Sequence, residues 1–367
     1  MPVTGKMTPN SIRVLFMVSV DSDNTSAQSL NAREIALRLD AQRFCSTLFY
    51  ESDPDSRLLN SPTIRLVKLP TKRRTLAILK EMFGGHQLIT YVDYSPASYL
   101  FLHSPRPLHR GAQTVLHVEA PAEQLAGATL LMRFLCKSVA ARCDVHIGIS
   151  DFVARDMQDH GMQSDFILPV GVETKRFTPP LVRPSTVPTV LFAGTVIERK
   201  GARLVVDVAR EVPEARFLIV GAARSGFDEV VRKRIRELSL TNVEMLGPQS
   251  QGRMVEIMHR SDIFLLPSRL EGIPKVTLEA AATGLPCIVF NSYETPSVID
   301  GLTGFQVTSF EEMVDRVRLL VGKPERRQEM GAHAIRHAQK FDWDIVAAQW
   351  QEAYQNIAES QLRSANT

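Results

Sequence analysis

The sequence has few cysteines, no long apolar run and little net charge. None of its four cysteines (Cys45, Cys136, Cys143 and Cys287) forms a Cys-x-x-Cys pair, and at least two lie in core-like runs, which argues against a disulfide framework. No apolar run is long enough to span a bilayer and the polar start shows no secretory signal, so we expect a cytoplasmic protein. A net charge of +3 lacks the strongly basic balance typical of a nucleic-acid-binding protein.

The composition is that of a globular protein with room for two domains. Hydrophobic residues make up 44% of the 367 residues and charged residues 23%. Because a single hydrophobic core rarely grows beyond about 250–300 residues, a chain of this length favours two domains.

The first half alternates short apolar runs with helical patterns. The run "RVLFMVS" (13–19) predicts a buried strand, and the helical pattern "SLNAREIALRL" (29–39) follows with Ser29 as its N-cap. Further strands are predicted at 45–51, 63–70, 86–92, 114–120 and 145–150, and further helices at 126–143 and 151–161. Strands that alternate with helices indicate right-handed βαβ units around a parallel sheet.

A proline-rich segment divides the chain. "FTPPLVRPSTVP" (177–188) contains four prolines, which neither a helix nor a central strand accommodates, so it predicts a linker. After it, strands are predicted at 189–194, 216–221, 243–246, 263–267 and 287–290, with helices between them, a turn near 300–307 and two terminal helices. The sequence therefore predicts two doubly wound α/β domains, 1–180 and 181–345.

The stretch "LEGIPKVTLEAAATGLPCIVFN" (270–291) places Glu271 and Glu279 around a tight turn. Pro267 ends the preceding strand, and Pro274 suits the first turn of the following helix. The loop between them therefore lies at the carboxyl end of a parallel strand and leads into a helix N-terminus. Ligands bind at that edge of open α/β sheets, and the free N–H groups of a helix N-terminus favour phosphate.

The two carboxylates suit a ligand rich in hydroxyl groups, because a carboxylate only accepts hydrogen bonds. Backbone N–H groups around Lys275, Val276 and Thr277 would hold a phosphate between them. A ligand with sugar at both ends and phosphate in the middle is a nucleotide sugar. The alternative is that Glu271 is a solvated loop residue and that Glu279 only complements the helix dipole.

The stretch 266–291 resembles the E-x7-E region of family-4 retaining glycosyltransferases with the GT-B fold. Segments that resemble the same family follow the expected order at 146–161, 168–179, 190–201, 217–221, 243–249, 258–268 and 300–307. The ending "FDWDIVAAQWQEAYQ" (341–355) resembles the family's last helix, which crosses back onto the first domain and here would be 346–367. The resemblance implies two Rossmann-like domains facing a cleft, with the acceptor side in 1–180 and the nucleotide-sugar side in 181–345.

The resemblance also implies a role for each residue of the site. Glu279 would bind the donor ribose, Glu271 would face the sugar ring, and Lys200 would be the cation on the diphosphate. His117 matches a first-domain histidine that approaches the donor sugar, and a structural role is the alternative for it. The remaining donor-binding predictions are Thr195, Arg199, Gly247, Pro248, Gly272, Ile273, Pro274, Lys275, Val276 and Thr277.

The sequence departs from the family pattern at four places. Thr195 stands where family members usually have an arginine that partners the lysine, and Arg199 is the candidate to compensate. Val170 replaces an asparagine, and Ser297 replaces the glutamate of a Gly-Gly-x-Pro-Glu motif. The loop "DSDNTSAQ" (21–28) replaces a Gly-Gly pair near donor and acceptor, so the acceptor does not follow from the pattern.

Three further signals have simpler interpretations. "DSD" (21–23) looks like the metal-binding motif of a different glycosyltransferase fold, but loop aspartates commonly cap a turn. "NTS" at Asn24 is a glycosylation sequon without meaning in a chain that lacks a secretory signal. The basic run 72–74 and the basic helix 133–142 predict a solvated face, with a peripheral contact between the N-terminal domain and anionic lipid as the alternative.

The sequence thus predicts an enzyme that moves a hexose from a nucleotide diphosphate sugar to an acceptor hydroxyl, with retention at the anomeric carbon. The acceptor, whether glycan, lipid-linked sugar or small molecule, stays open. No metal or other cofactor is expected, because Lys200 and helix-end amides would stabilise the diphosphate. The alternatives are a sugar-nucleotide epimerase on the same fold and a catalytically inactive binding or scaffold subunit, which Thr195 and the altered first loop would support.

Overall fold

A computed structural model describes residues 11–22, 26–122, 129–181 and 187–364. The chain divides into two compact units, one of Met1–Val170 with Trp343–Thr367 and one of Gly171–Asp342. The sequence predicts the first of these boundaries after residue 180 and the second after residue 345, whereas they lie after Val170 and Asp342. Each unit contains one parallel sheet with helices, as the alternation of strands and helices predicts.

The first unit has a seven-stranded parallel sheet of order β3-β2-β1-β4-β5-β6-β7. Its strands are β1 (Ile12–Ser19), β2 (Phe44–Tyr50), β3 (Ile64–Lys68), β4 (Leu88–Thr90), β5 (Gln113–Val118), β6 (Val145–Gly148) and β7 (Phe166–Ile167). Its helices are α1 (Ala27–Arg38), α2 (Ser56–Leu59), α3 (Arg74–Met82), α4 (Pro96–His103), α5 (Leu130–Ala140) and α6 (Asp151–Asp159). The strand order reverses between β1 and β4, as in a doubly wound fold.

Both faces of this sheet are covered, which explains why its strands read as unbroken apolar runs. Val14 and Phe16 of β1 belong to a core shared with α1. Their neighbours Leu15 and Met17 point to the opposite core, which contains residues of α3, α4 and α5. Alternate residues of one strand therefore support two separate helical layers.

The second unit has a six-stranded parallel sheet of order β10-β9-β8-β11-β12-β13. Its strands are β8 (Thr189–Ala193), β9 (Arg216–Val220), β10 (Val243–Gly247), β11 (Ile263–Leu266), β12 (Cys287–Phe290) and β13 (Gly304–Val307). Its helices are α7 (Ala202–Glu211), α8 (Phe227–Glu237), α9 (Gln251–His259), α10 (Lys275–Ala282), α11 (Phe310–Gly322) and α12 (Pro324–Ala338). β8 and β11 are neighbours at the point where the strand order reverses.

The last helix, α13 (Trp343–Ser364), belongs to the first unit although it follows the second unit in sequence. Trp350 and Tyr354 are buried in the core that contains Phe16, and the indole N–H of Trp350 donates to the carbonyl of Pro169 at 2.9 Å. Trp350 and Tyr354 thus pack the apolar side of α13 into the core of the first unit.

Three local predictions are corrected by the structure. Ser26, rather than Ser29, caps α1, because the Ser26 hydroxyl accepts from the backbone N–H of Ser29. The turn predicted near 300–307 contains β13, whose sequence "GFQV" includes a glycine and a glutamine and therefore forms no unbroken apolar run. Three helices follow that strand instead of two, since Pro324 starts α12 directly after α11 ends.

No helix in the described parts of the chain combines the length and the apolar content needed to cross a membrane.

Candidate active site

Two loops of the second unit contain most of the predicted site. One follows β8 and includes Thr195, Arg199 and Lys200, and the other follows β11 and includes Glu271 and Gly272. Because β8 and β11 are adjacent parallel strands, both loops leave the same edge of the sheet. This edge lies at the reversal of strand order, where doubly wound sheets bind their ligands.

Glu271 is the centre of a compact polar cluster. Its side chain is buried, and its Oε1 accepts from the hydroxyl of Ser268 at 2.8 Å. The same oxygen lies 3.0 Å from Lys200 Nζ and 3.3 Å from Arg199 Nη1. A buried carboxylate is tolerated when it has such charged partners, so the interpretation of Glu271 as a solvated loop residue is wrong.

Arg199 supplies a second cation beside Lys200. Its guanidinium also donates to the carbonyl of Leu270, and its own carbonyl accepts from the N–H of Arg269 at 3.1 Å. These bonds tie the loop after β8 to the loop after β11. Arg199 therefore points towards the candidate site, although Thr195 occupies the position of the family's arginine.

A glycine permits the close approach of these two loops. Gly201 follows a short 3-10 turn (Glu198–Lys200) with a φ of +75°, in the left-handed region that favours glycine. A Cβ at this position would lie only 2.3 Å from the carbonyl oxygen of Pro267. Any side chain here would push Lys200 away from Glu271.

Glu279 lies within α10, and protein atoms surround its carboxyl group although the residue keeps some exposure to solvent. Burial raises the pKa of Glu279 to about 7. The charge of Lys275 opposes this rise, the charge of Glu173 adds to it, and the charge of Arg176 opposes it. Burial disfavours the ionised carboxylate, so hydroxyl donors from a bound ribose would stabilise its charge.

This pKa predicts that nucleotide affinity depends on pH. Ribose hydroxyls that donate to the carboxylate would lower the pKa of Glu279 in the complex, so binding is strongest above the free pKa and weakens as pH falls below it. Between about pH 7.5 and 6.0 we expect the Kd of a nucleotide sugar to rise roughly five- to tenfold. Calorimetry on the wild type and on Glu279→Gln checks this, because only the wild type should show the rise.

The first turn of α10 differs in part from the prediction. Pro274 is the N-cap rather than the first helical residue. Both the backbone N–H and the hydroxyl of Thr277 donate to the carbonyl of Pro274, at 2.9 and 2.7 Å. Thr277 therefore uses both of its donors within the protein and offers neither to a phosphate. Lys275 and Val276 keep their predicted place on this turn, half-buried.

Ser297 explains how the chain tolerates the loss of the family's glutamate. Its hydroxyl donates to the hydroxyl of Thr277 at 2.7 Å, and both side chains are buried. A carboxylate at this position would require charged partners that a hydroxyl does not need. The hydroxyl of Ser297 thus contacts Thr277 in the first turn of α10 without adding a charge.

The residues predicted around the base lie at the end of β10. Gly247 has a φ of +67° and directs the chain into Pro248, which is exposed. The carbonyl of Gly247 accepts from the N–H of Gly221 at 2.9 Å. A Cβ on Gly221 would lie 1.8 Å from the carbonyl oxygen of Gly194, so the chain segments after β8, β9 and β10 pack backbone to backbone. Gly272 and Ile273, which precede the helix, are both buried.

His117 lies in the first unit, at the end of β5. It is buried between Tyr91 and Trp350, with ring centroids 3.8 and 4.9 Å away, and its Nε2 is 2.6 Å from the hydroxyl of Thr90. Burial lowers the pKa of His117 to about 3, so the imidazole is neutral. These contacts support the structural interpretation of His117 more directly than the catalytic one.

Of the two aspartates in "DSD", the structure describes Asp21, whereas Asp23 lies outside the described residues. Asn24 of the sequon also lies outside them. Asp21 accepts hydrogen bonds from the backbone N–H groups of Glu51, Ser52 and Asp53 at 2.7 to 3.0 Å. Its carboxylate is therefore used to hold a turn, as the sequence predicts. Within the described parts of the chain, no three His, Cys, Asp or Glu side chains are grouped to hold a metal ion.

Four residues near the site do not emerge from the sequence analysis. Ser268 is the hydrogen-bond donor to Glu271, and Tyr293 is buried with its pKa raised by burial and then by the charge of Glu271. Glu173 and Arg176 lie beside Glu279 and pair with each other at 3.1 Å. Ser268 follows the apolar strand directly, a position that could have identified it. The other three come from distant parts of the sequence.

Comparison with known proteins finds similarity to glycosyltransferases, and the matching family model lies within the second unit. Residues 173–337 match the family model described as Glycosyl transferases group 1. A GDP-mannose-dependent monoacylated alpha-(1-6)-phosphatidylinositol monomannoside mannosyltransferase of Corynebacterium glutamicum is 27% identical over 86% of this chain and 87% of its own length. A D-inositol 3-phosphate glycosyltransferase of Corynebacterium aurimucosum is 30% identical over 45% of this chain and 42% of its own length.

Two solved structures are similar across almost the whole chain. Sucrose-phosphate synthase from Thermosynechococcus elongatus has a TM-score of 0.78 at 18% identity, and covers 95% of this chain and 100% of its own. Anabaena HepE, in a complex with UDP-glucose, also has a TM-score of 0.78, at 16% identity over 94% of this chain and 99% of its own. These likenesses, together with the two parallel sheets, confirm the predicted GT-B fold class.

Proposed function

We propose, from the premise that this chain is a group 1 glycosyltransferase of the family-4 type with the GT-B fold, that it moves a hexose from a nucleotide diphosphate sugar to an acceptor hydroxyl with retention at the anomeric carbon. The observation that carries the proposal is the convergence of Lys200 and Arg199 on Glu271 at the edge between β8 and β11. Two cations at a helix N-terminus are suited to a leaving group that gains negative charge.

In the proposed reaction the bond between the anomeric carbon and the diphosphate oxygen breaks, and a bond to the acceptor oxygen forms. The acceptor proton passes to the departing phosphate, so no separate general base is required. Lys200 and Arg199 stabilise the charge that develops on the diphosphate. Glu271, held between them, accepts hydrogen bonds from hydroxyls of the transferred sugar.

Glu279 would bind the ribose of the donor, and Gly247 with Pro248 would line the base. Two ribose hydroxyls that donate to this carboxylate would form charge-assisted hydrogen bonds and so favour its ionised form. The half-buried first-turn residues Lys275 and Val276 would contact the diphosphate between the two carboxylates.

The relatives narrow the choice of donor to test. The Corynebacterium glutamicum relative is described as GDP-mannose-dependent, and the Anabaena structure contains UDP-glucose. We therefore propose a hexose carried on GDP or UDP. Incubation with a panel of such nucleotide sugars, with and without candidate acceptors, should release free nucleoside diphosphate in proportion to transfer. Absence of release with every donor, while nucleotide still binds, would instead support an inactive binding subunit.

Activity should survive an excess of EDTA. Lys200 and Arg199 would stabilise the charge of the diphosphate, so we expect no necessary role for a divalent cation. Turnover of the best donor in EDTA should equal turnover in buffer to within about twofold, a difference well below one preorganised donor's contribution. Loss of turnover in EDTA that manganese restores would contradict this assignment.

The two alternative functions gain no support from the site. An epimerase would convert a nucleotide sugar without an acceptor, which the same incubations detect as a changed sugar with no released nucleoside diphosphate. The inactive-subunit hypothesis rests on Thr195 and on the altered first loop, and Arg199 supplies a cation in place of the family's arginine. The proposed location is cytoplasmic, with a membrane contact considered below.

A further inference from the structure

One side of the first unit exposes apolar side chains on a helix that contains no acidic residue. On α5, Leu130, Leu131 and Phe134 are 85%, 68% and 56% exposed. Phe134 follows Leu130 by four positions and Leu131 by three, so the three side chains share the outer side of the helix. The buried side is formed by Cys136, Val139 and Ala140. Large apolar groups on the outer side of a surface helix indicate contact with another surface.

The neighbouring helices extend this apolar surface. α4 packs against both α3 and α5, and the rings of Tyr99 and Phe134 lie 6.4 Å apart. Leu76 on α3 and Leu100 on α4 are 64% and 51% exposed. We call the outer side of α3, α4 and α5 the basic-apolar face. It lies over the core formed with Leu15 and Met17, opposite the side that α13 covers.

The three segments that contain these helices are mostly basic, although Glu51 and Asp144 lie next to them through ion pairs with Arg74 and Arg106. Segments 72–83, 96–110 and 129–143 contain nine lysines and arginines but only one acidic residue, Glu81, whereas the whole chain has a net charge of only +3. Two of the nine, Arg74 and Arg106, pair with carboxylates outside these segments. On α5, Arg133 and Lys137 are exposed beside the apolar side chains.

We propose that the basic-apolar face docks the protein on an anionic phospholipid surface. Leucine and phenylalanine side chains would enter the boundary between headgroups and acyl chains, and the flanking cations would meet the negative headgroups. Exposed apolar side chains and cations together favour an anionic membrane over other partners. A neutral membrane would not require the cations, and an acidic soluble partner would not require several exposed leucines. Neither signal alone gives stable binding, but two together do.

The test is sedimentation of the whole chain with vesicles of phosphatidylcholine alone or with about 30% phosphatidylglycerol, an anionic lipid. Wild type should bind the anionic vesicles, bind neutral vesicles much more weakly, and dissociate as salt rises. Removing two cations in Arg133→Gln/Lys137→Gln should weaken binding about thirtyfold, since each cation near such a surface contributes about fivefold. Leu131→Gln/Phe134→Gln should weaken binding at least roughly tenfold, because both side chains lose apolar burial.

Matched controls separate this face from general charge and hydrophobicity. Lys233→Gln/Arg236→Gln removes two exposed cations from α8 of the second unit, and Leu59→Gln removes an exposed leucine from α2. These variants should bind vesicles like the wild type. Nucleotide binding, measured without vesicles, should be unchanged in every variant, so the test is independent of the proposed sugar transfer.

Two results would overturn the proposal. One is wild-type binding that is absent, or equal for neutral and anionic vesicles. The other is self-association without vesicles that the α5 substitutions abolish, which would make the face an interface between copies of the chain.

Discussion

Lys200→Ala should lower kcat by roughly a hundredfold or more, the scale seen when one preorganised donor to a developing charge is lost. The diphosphate gains negative charge as the sugar bond breaks, so a cation aimed at it acts more in the transition state than in the ground state. The KM for the donor should change much less than kcat. Steady-state kinetics with the donor identified by nucleoside diphosphate release checks both quantities.

Three companion variants make this result specific. Lys233→Ala removes an exposed cation of the same unit, which pairs with Glu237 at 3.8 Å, and it should have wild-type kinetics. Arg199→Ala should also lower kcat, because Arg199 shares the Glu271 oxygen with Lys200. Thr195→Arg should keep or raise activity, since it restores the family pattern. A near wild-type kcat in Lys200→Ala would remove the lysine from the mechanism.

Glu279→Gln should weaken nucleotide binding at least tenfold. The glutamine keeps the shape of the side chain but replaces a carboxylate that accepts two ribose hydroxyls, and each charge-assisted hydrogen bond contributes roughly 1.5–3 kcal/mol. Calorimetric titration at a pH above about 7, where the wild-type carboxyl group is ionised, measures the effect at its largest. Affinity equal to that of the wild type would exclude the ribose role.

The loss of affinity in Glu279→Gln should not come from unfolding. Burial raises the pKa of Glu279 in the folded protein, so the ionised side chain destabilises the fold above that pKa. A neutral glutamine removes this cost, and thermal unfolding at about pH 8 should show an equal or higher Tm. Glu256→Gln, at an exposed position on α9, is the matched control and should bind nucleotide like the wild type.

Much of the fold follows from local sequence, because strands alternate with helices in both compact units. β12 begins and ends at the residues of the run "CIVF", and β8 differs from its predicted run by one residue. These strands are buried on both faces, so the apolar run and the strand coincide. β13 escapes prediction because "GFQV" is not continuously apolar, and the extra helix escapes it because two consecutive helices join at Pro324.

The candidate site is less accessible to sequence reasoning. The pair of glutamates and the lysine are recognisable from the motif alone. The role of Arg199 is not, because the direction of its side chain depends on how closely Gly201 lets the loop after β8 approach Pro267. The inward orientation of Thr277 likewise depends on Ser297, twenty residues further along the chain.

Local sequence alone is enough to predict the two parallel α/β units and the glutamates at the carboxyl end of β11, whereas the boundary between the units lies at Val170 and Gly171, before the predicted linker 177–188. These features are local, since strand length, helix start and turn are encoded in neighbouring residues. Three features become visible only in the tertiary structure. Lys200 and Arg199 share one carboxylate oxygen of Glu271, and burial raises the pKa of Glu279 to about 7. In addition, α5 exposes its leucines. The reason is that distance and burial depend on which strands become neighbours, and strand order is a property of the whole sheet.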